Sequence, residues 1–137
     1  MTTDRDAMRG IVEQAYAHRN TGDTEGLMSA FHADAVFELV GEKKVLALAG
    51  AVRSHPNVRE AMTGFIATFQ FIKRDIVSFI ADGDRAAVHS RLTVRFVPKD
   101  LTFTTDVTDL FRFKDGKIIE LVEFADTALI KHVTAEA

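Results

Sequence analysis

The chain has 137 residues, 47% of them hydrophobic and 27% charged, with 2 Pro and 8 Gly, which excludes a disordered or low-complexity chain and fits a single domain over residues 1–137. Basic residues number 17 and acidic residues 20, a net charge of −3, so no basic footprint for nucleic acid or an anionic membrane exists and neither is expected as a partner. With 0 Cys there is no disulfide or thiolate chemistry; the N-terminus carries charges of both signs where a leader peptide needs an apolar centre, and no apolar run reaches the ~18 residues of a membrane span, so the cytoplasm is the expected compartment.

Helix signals fill the first half. Thr2 or Thr3 can cap a helix with the apolar stripe Met8, Ile11, Val12 and Ala15, which Asn20-Thr21-Gly22 stops. Asp23 caps a shorter helix through Leu27, Met28 and Phe31, and Val36 to Val40 reads as a short strand. Between Gly41 and Ser54 the run Val45 to Leu48 fits either a strand or a loop. Pro56, following Ser54-His55, opens a third helix with the stripe Val58, Met62, Phe65, Ile66 and Phe69.

From Arg74 the period changes from helical to two. Asp75–Ala81, Ala86–Val97, Leu101–Phe113 and Lys117–Ala125 read as strands of an antiparallel meander, separated by the turn signals Asp82-Gly83-Asp84, Pro98-Lys99-Asp100 and Asp115-Gly116. Three helices followed by long strands predict an α+β layered fold with the helices covering one sheet face.

Alternation sorts the side chains. Val88, Ser90, Leu92, Val94 and Phe96 share one face with Phe103, Thr105, Val107, Asp109, Phe111 and Phe113. A tight turn at Lys99-Asp100 pairs Phe96 with Phe103, Val94 with Thr105, Leu92 with Val107 and Ser90 with Asp109. One carboxylate therefore lies on the covered face. The last hairpin allows two registers: a two-residue Asp115-Gly116 turn faces Glu120 inward, and a three-residue Lys114-Asp115-Gly116 loop, preferred here, faces Glu123 inward with Leu121 opposite Asp109 and Glu123 diagonal to it. No Lys or Arg occupies an inward position of these strands, so burial and Glu123 together are expected to keep Asp109 protonated near neutral pH. Against this, Asp109 in a purely structural role would accept hydrogen bonds from Ser90 or a helix.

The opposite face carries His89, Arg91, Thr93, Arg95, Thr102, Thr104, Asp106 and Thr108, a polar surface suited to a contact between two copies of the chain, and a homodimer is expected. The five His, at 18, 32, 55, 89 and 132, have no metal-ligand spacing; no metal or other cofactor is expected.

Two segments carry a family resemblance. Tyr16 to Val36, with Asn20-Thr21-Gly22-Asp23 and Phe31-His32-Ala33-Asp34-Ala35-Val36, and the ending Asp109-Leu110-Phe111-Arg112-Phe113-Lys114-Asp115-Gly116-Lys117-Ile118 followed by Glu123-Phe124-Ala125-Asp126-Thr127, resemble the NTF2-like superfamily, in particular its SnoaL-like polyketide cyclase and ketosteroid isomerase-like branch. The resemblance implies an NTF2-like (cystatin-like) cone: three N-terminal helices packed on a curved, mainly antiparallel sheet enclosing an apolar pocket, usually as a homodimer. It does not imply a reaction, since the superfamily spans several chemistries and domains with none.

Carried over by position, Asp109 falls where ketosteroid isomerases keep a protonated Asp. Their general base falls at Leu39 and their tyrosine at Ala15, one residue before Tyr16, so steroid isomerisation is not expected. Polyketide cyclases of the branch need only the pocket acid. The expected function is a pocket protein for a small apolar ligand. It is either an enzyme isomerising, cyclising or dehydrating a carbonyl compound, with Asp109 and Glu123 as the acid/base candidates, or a non-catalytic homodimeric binding module. The expected lining is Tyr16, Leu39, Phe65, Ser90, Leu92, Val107, Phe111 and Leu121. Tyr16 flanks the helix stripe, where its hydroxyl reaches a ligand or, more simply, solvent. A sealed interior packed by Phe37, Phe65, Phe69, Phe96 and Phe111 would instead mark an interaction domain, and an open cavity of a few hundred Å³ a ligand site.

Overall fold

The computed structural model describes residues 4–135. The first helix, α1 (Arg5–Thr21), buries the stripe Met8, Val12, Ala15, Tyr16 and Arg19, a spacing of three and four that keeps one face inward. Its cap is Asp4, whose side chain accepts from the Ala7 backbone N–H; Thr2 and Thr3, the expected caps, lie outside the described residues. Gly22 ends the helix in the left-handed conformation, φ 76°. Asp23 caps α2 (Thr24–Met28), and α3 (His55–Thr68) follows Ser54 with Pro56 in its first turn.

The sheet has six strands in the order β2-β1-β6-β5-β4-β3: β1 (Phe31–Leu39), β2 (Gly50–Arg53), β3 (Phe69–Asp82), β4 (Arg85–Phe96), β5 (Leu101–Lys114) and β6 (Lys117–Ala125). All neighbours are antiparallel except β1 with β6. The α+β expectation holds, with two additions: β2 forms in the stretch left open, where 45–48 is a series of turns, and a fourth helix, α4 (Thr127–Thr134), follows the last strand. Strand β1 also starts at Phe31, five residues before the expected Val36.

Two expected registers are corrected. A 3-10 turn, Val97–Lys99, with Asp100 left-handed at φ 49°, joins β4 to β5, so Phe96 pairs with Leu101 and the ladder is displaced by two residues from the tight-turn alignment. Two residues preserve the faces, so Asp109 stays inward, opposite Val88 instead of Ser90. The last hairpin combines features of both alternatives. Asp115 and Gly116, at φ 54° and 73°, form a two-residue turn that pairs Lys114 with Lys117, and the ladder then skips Ile119, so that Arg112 pairs with Glu120 and Asp109 directly with Glu123. This bulge inverts the alternation, turning Glu120 outward and Glu123 inward.

Strand β3 carries two further bulges, at Ile72 and Val77, which bend the sheet around the helices. It begins six residues before the expected Asp75, directly from the end of α3. The core lies between the concave sheet face and α1, α2 and α3, where Met8, Val12, Met28, Val58, Val88 and Ile118 are essentially inaccessible. Phe69 and Phe96, with ring centroids 5.4 Å apart, belong to a second cluster that includes Val133 of α4. Among the described residues no helix is long and apolar enough to cross a membrane.

Candidate functional site

Between the helices and the sheet is a cavity of about 100 Å³, smaller than the few hundred that would mark an open ligand site. Its walls are mostly apolar side chains, among them Phe37, Leu39, Phe65, Phe69, Leu92, Val107, Phe111 and Leu121; Phe96 does not reach it. Of the expected lining, Tyr16, Leu39, Phe65, Leu92, Val107, Phe111 and Leu121 are present. Ser90 is not: it is fully buried behind the wall, where its hydroxyl oxygen accepts from Arg74 Nη1 at 3.2 Å.

The polar end of the cavity is a row across three strands. Leu39 on β1 pairs with Glu123 on β6, and Glu123 with Asp109 on β5. Directly opposed residues on one sheet face have side chains in contact range, and Asp109 Oδ1 is buried with no hydrogen-bond partner among the described residues. Burial and the adjacent Asp109 push the Glu123 carboxyl well above the usual carboxylate range. Burial thus favours the neutral, proton-carrying form of Glu123. As a residue it is partly buried, and it lines the cavity.

Asp109 is 1% exposed, and its Oδ2 accepts a hydrogen bond from the Tyr16 hydroxyl at 2.6 Å. Tyr16 thus points into the site and not to solvent. Burial, then the Asp109 carboxylate, raises the phenol well above its ordinary value and keeps it a donor. The expectation that no cation faces Asp109 is overturned: Arg74 Nη1 of β3 lies 3.9 Å from Asp109 Oδ2, with the arginine side chain 5% exposed. A phenol donor and a guanidinium thus converge on one oxygen of Asp109, Oδ2.

Arg74 stacks over the Tyr16 ring at 3.6 Å from its centroid. A second arginine, Arg19 of α1, lines the cavity beside it. Arg19 Nη2 donates to the carbonyls of Phe69 and Phe65, at 2.8 and 3.3 Å, and its guanidinium stacks on Phe71 at 3.7 Å. Sequence reasoning missed both. Arg19 continues the α1 stripe, four residues beyond Ala15, and was legible there; Arg74 lies one residue before the expected strand start at Asp75, and the bulge at Val77 shifts the alternation that would have placed it.

On the outer sheet face, Asp106 accepts from His89 at 2.8 Å and from Arg91 at 3.1 Å, and these bonds lower its carboxyl from the ordinary value. Arg95 bonds Asp100 instead of joining them. No cluster of His, Asp or Glu suited to a metal ion exists among the described residues.

The comparisons with known proteins fit this arrangement. Residues 12–121 match the family model for the SnoaL-like domain, a span that contains Asp109 and ends two residues before Glu123. The chain belongs to the SnoaL-like family. No curated protein matches the sequence of this SnoaL-like domain. Its fold is shared with an NTF2-like protein from Burkholderia xenovorans (22% identity, TM-score 0.77, 96% of this chain and 98% of that one). A LEH-like epoxide hydrolase from M. tuberculosis is similar at 20% identity and TM-score 0.71, over 93% of this chain and 92% of that one. The TerC protein, crystallised with polyporic acid, is similar at 21% identity and TM-score 0.77, over 92% and 96%. At these identities the likeness concerns the fold alone.

Proposed function

We propose that this SnoaL-like domain is an enzyme acting by acid-base chemistry on a small carbonyl compound with an apolar body, by isomerisation, cyclisation or dehydration, with Asp109 and Glu123 as the working pair. The observation that carries the reading is the direct opposition of the two carboxyls in a mostly apolar cavity, with Tyr16 fixing one of them. Two such groups sharing one proton divide into an acid and a base. Glu123 gives its proton to the carbonyl oxygen, Asp109 takes a proton from the neighbouring carbon, and the enol that results is reprotonated at carbon as the two protons return. Leu39, at the position of the isomerase base, is inert, but its partner across the ladder is Glu123, so a carboxyl stands one strand away from where the base would be.

The test is deuterium exchange. In D2O, 4-phenyl-2-butanone at millimolar concentration should exchange its protons next to the carbonyl at least about a hundredfold faster with the protein than in buffer, read by proton NMR. Exchange at the buffer rate would overturn the catalytic reading. The binding module would then lead, a reading favoured by the Tyr16 and Arg74 contacts that already occupy Asp109 Oδ2.

The assembly proposed is a homodimer through the outer sheet face. That face is less uniformly polar than its Thr and Arg content suggests: Ile80, Ala87, Leu110 and Val122 form one continuous cross-strand row, with Ile80 65% exposed and Phe124 nearby at 45%. Sedimentation at micromolar protein should give a dimer, and Leu110→Arg a monomer. A monomeric wild type would remove the proposal.

A further inference from the structure

The charged residues lining the cavity are two guanidinium groups and two carboxyls. Burial and Asp109 favour the neutral form of Glu123, which tips the balance of the cavity toward positive charge. Arg19 remains cationic although burial pulls it down to about 10, and an arginine is not deprotonated at neutral pH. A buried guanidinium without a full counter-charge is costly unless one arrives.

The guanidinium groups also have donors to spare. Arg74 Nε is buried with no hydrogen-bond partner among the described residues, on a side chain that is 95% covered, and Arg19 engages protein acceptors through Nη2 alone. Both arginines stack on Phe71, at 3.7 and 5.2 Å from its centroid, which brings the two cations to the same flank of the cavity. Stacking fixes the planes and leaves the edges free for a planar oxyanion.

The geometry points to a ligand with an anionic oxygen head group, a carboxylate or an enolate, seated against Arg19 and Arg74, with its apolar body against Leu39, Phe65 and Leu121. This rests on the carbonyl-compound reading and narrows it to acidic carbonyl compounds such as aryl keto acids. The head group supplies the missing negative charge, and the apolar body is carried by the remaining walls toward the Asp109–Glu123 pair.

The experiment compares 3-phenylpropanoate with 3-phenylpropanamide, nearly equal in shape and different in charge, by calorimetry at low salt. The acid is expected to bind at least tenfold more tightly than the amide, and Arg19→Gln and Arg74→Gln each to reduce that preference to less than threefold. Equal binding of the two probes, tighter binding of the amide, no binding of either at millimolar concentration, or a preference that survives both substitutions would overturn the inference. The wild-type ratio stands by itself should either variant fail to fold. Exchange of the neutral 4-phenyl-2-butanone separates the two claims: exchange without acid preference leaves the catalytic reading and removes the anion, whereas acid preference without exchange does the reverse.

Discussion

Replacing Asp109 with Asn should lower stability at pH 7 by about 3 to 5 kcal/mol, the usual cost of removing one member of a buried ion pair. Asp109 compensates Arg74 at 3.9 Å in a region where neither side chain is more than 5% exposed, and it receives the Tyr16 hydroxyl at 2.6 Å. An amide cannot neutralise the guanidinium, although its oxygen can still accept from Tyr16 and its NH2 group can donate to the carbonyl oxygen of Glu123. Thermal unfolding followed by circular dichroism should show a drop on the order of 10 °C or more for a domain of this size. A burial argument without the arginine gives the opposite sign, so an unchanged or raised melting temperature would show that Arg74 does not compensate Asp109.

Glu123→Gln should separate activity from stability in the other direction. Loss of the transferable proton should reduce the exchange rate by roughly 10²- to 10⁴-fold, the range for removal of a general acid. Stability should rise. The folded-state value of Glu123 lies above its unfolded value, so the folded protein binds this proton more tightly than the unfolded chain does. The contribution to stability is complete below the unfolded carboxylate range of ~4.3 and declines as pH rises through the folded value. Gln is permanently neutral and loses nothing over that interval. Denaturant unfolding at several pH values should therefore show the variant gaining on the wild type from about pH 5 upward. A gap between the two that is independent of pH would exclude Glu123 as the proton carrier.

The elements were largely legible because their signals are local: the three- and four-residue spacing in α1 and α3, the turn residues between long strands, and the alternation of β4 all read correctly from single segments. The inward position of Asp109 was legible for the same reason, since a displacement of two residues leaves each side chain on its face. What the sequence did not disclose depends on bulges and on contacts between distant segments. A bulge carries no fixed residue signature, so the one at Val77 concealed Arg74, and the one at Ile119 gave Glu123 its inward orientation from a turn that by alternation alone turns it out. Tyr16 was misread because its environment is made by β3 and β5, 58 and 93 residues along the chain from it. Its place on the helix stripe gave no hint of a carboxylate waiting there.

The extra residue at Ile119 makes β6 unequal in its tolerance of length changes. Excision of Ile119 restores regular alternation while every later residue keeps its partner, so Glu123 still meets Asp109 across the ladder. Excision two or three positions further on, at Leu121 or Val122, carries Glu123 across to the convex surface if the bulge is retained. The strand thus has one position where a codon can be lost without disturbing the carboxyl pair, next to positions where the same loss dismantles it. A chain one residue shorter at 119 therefore keeps the carboxyl pair by losing its bulge.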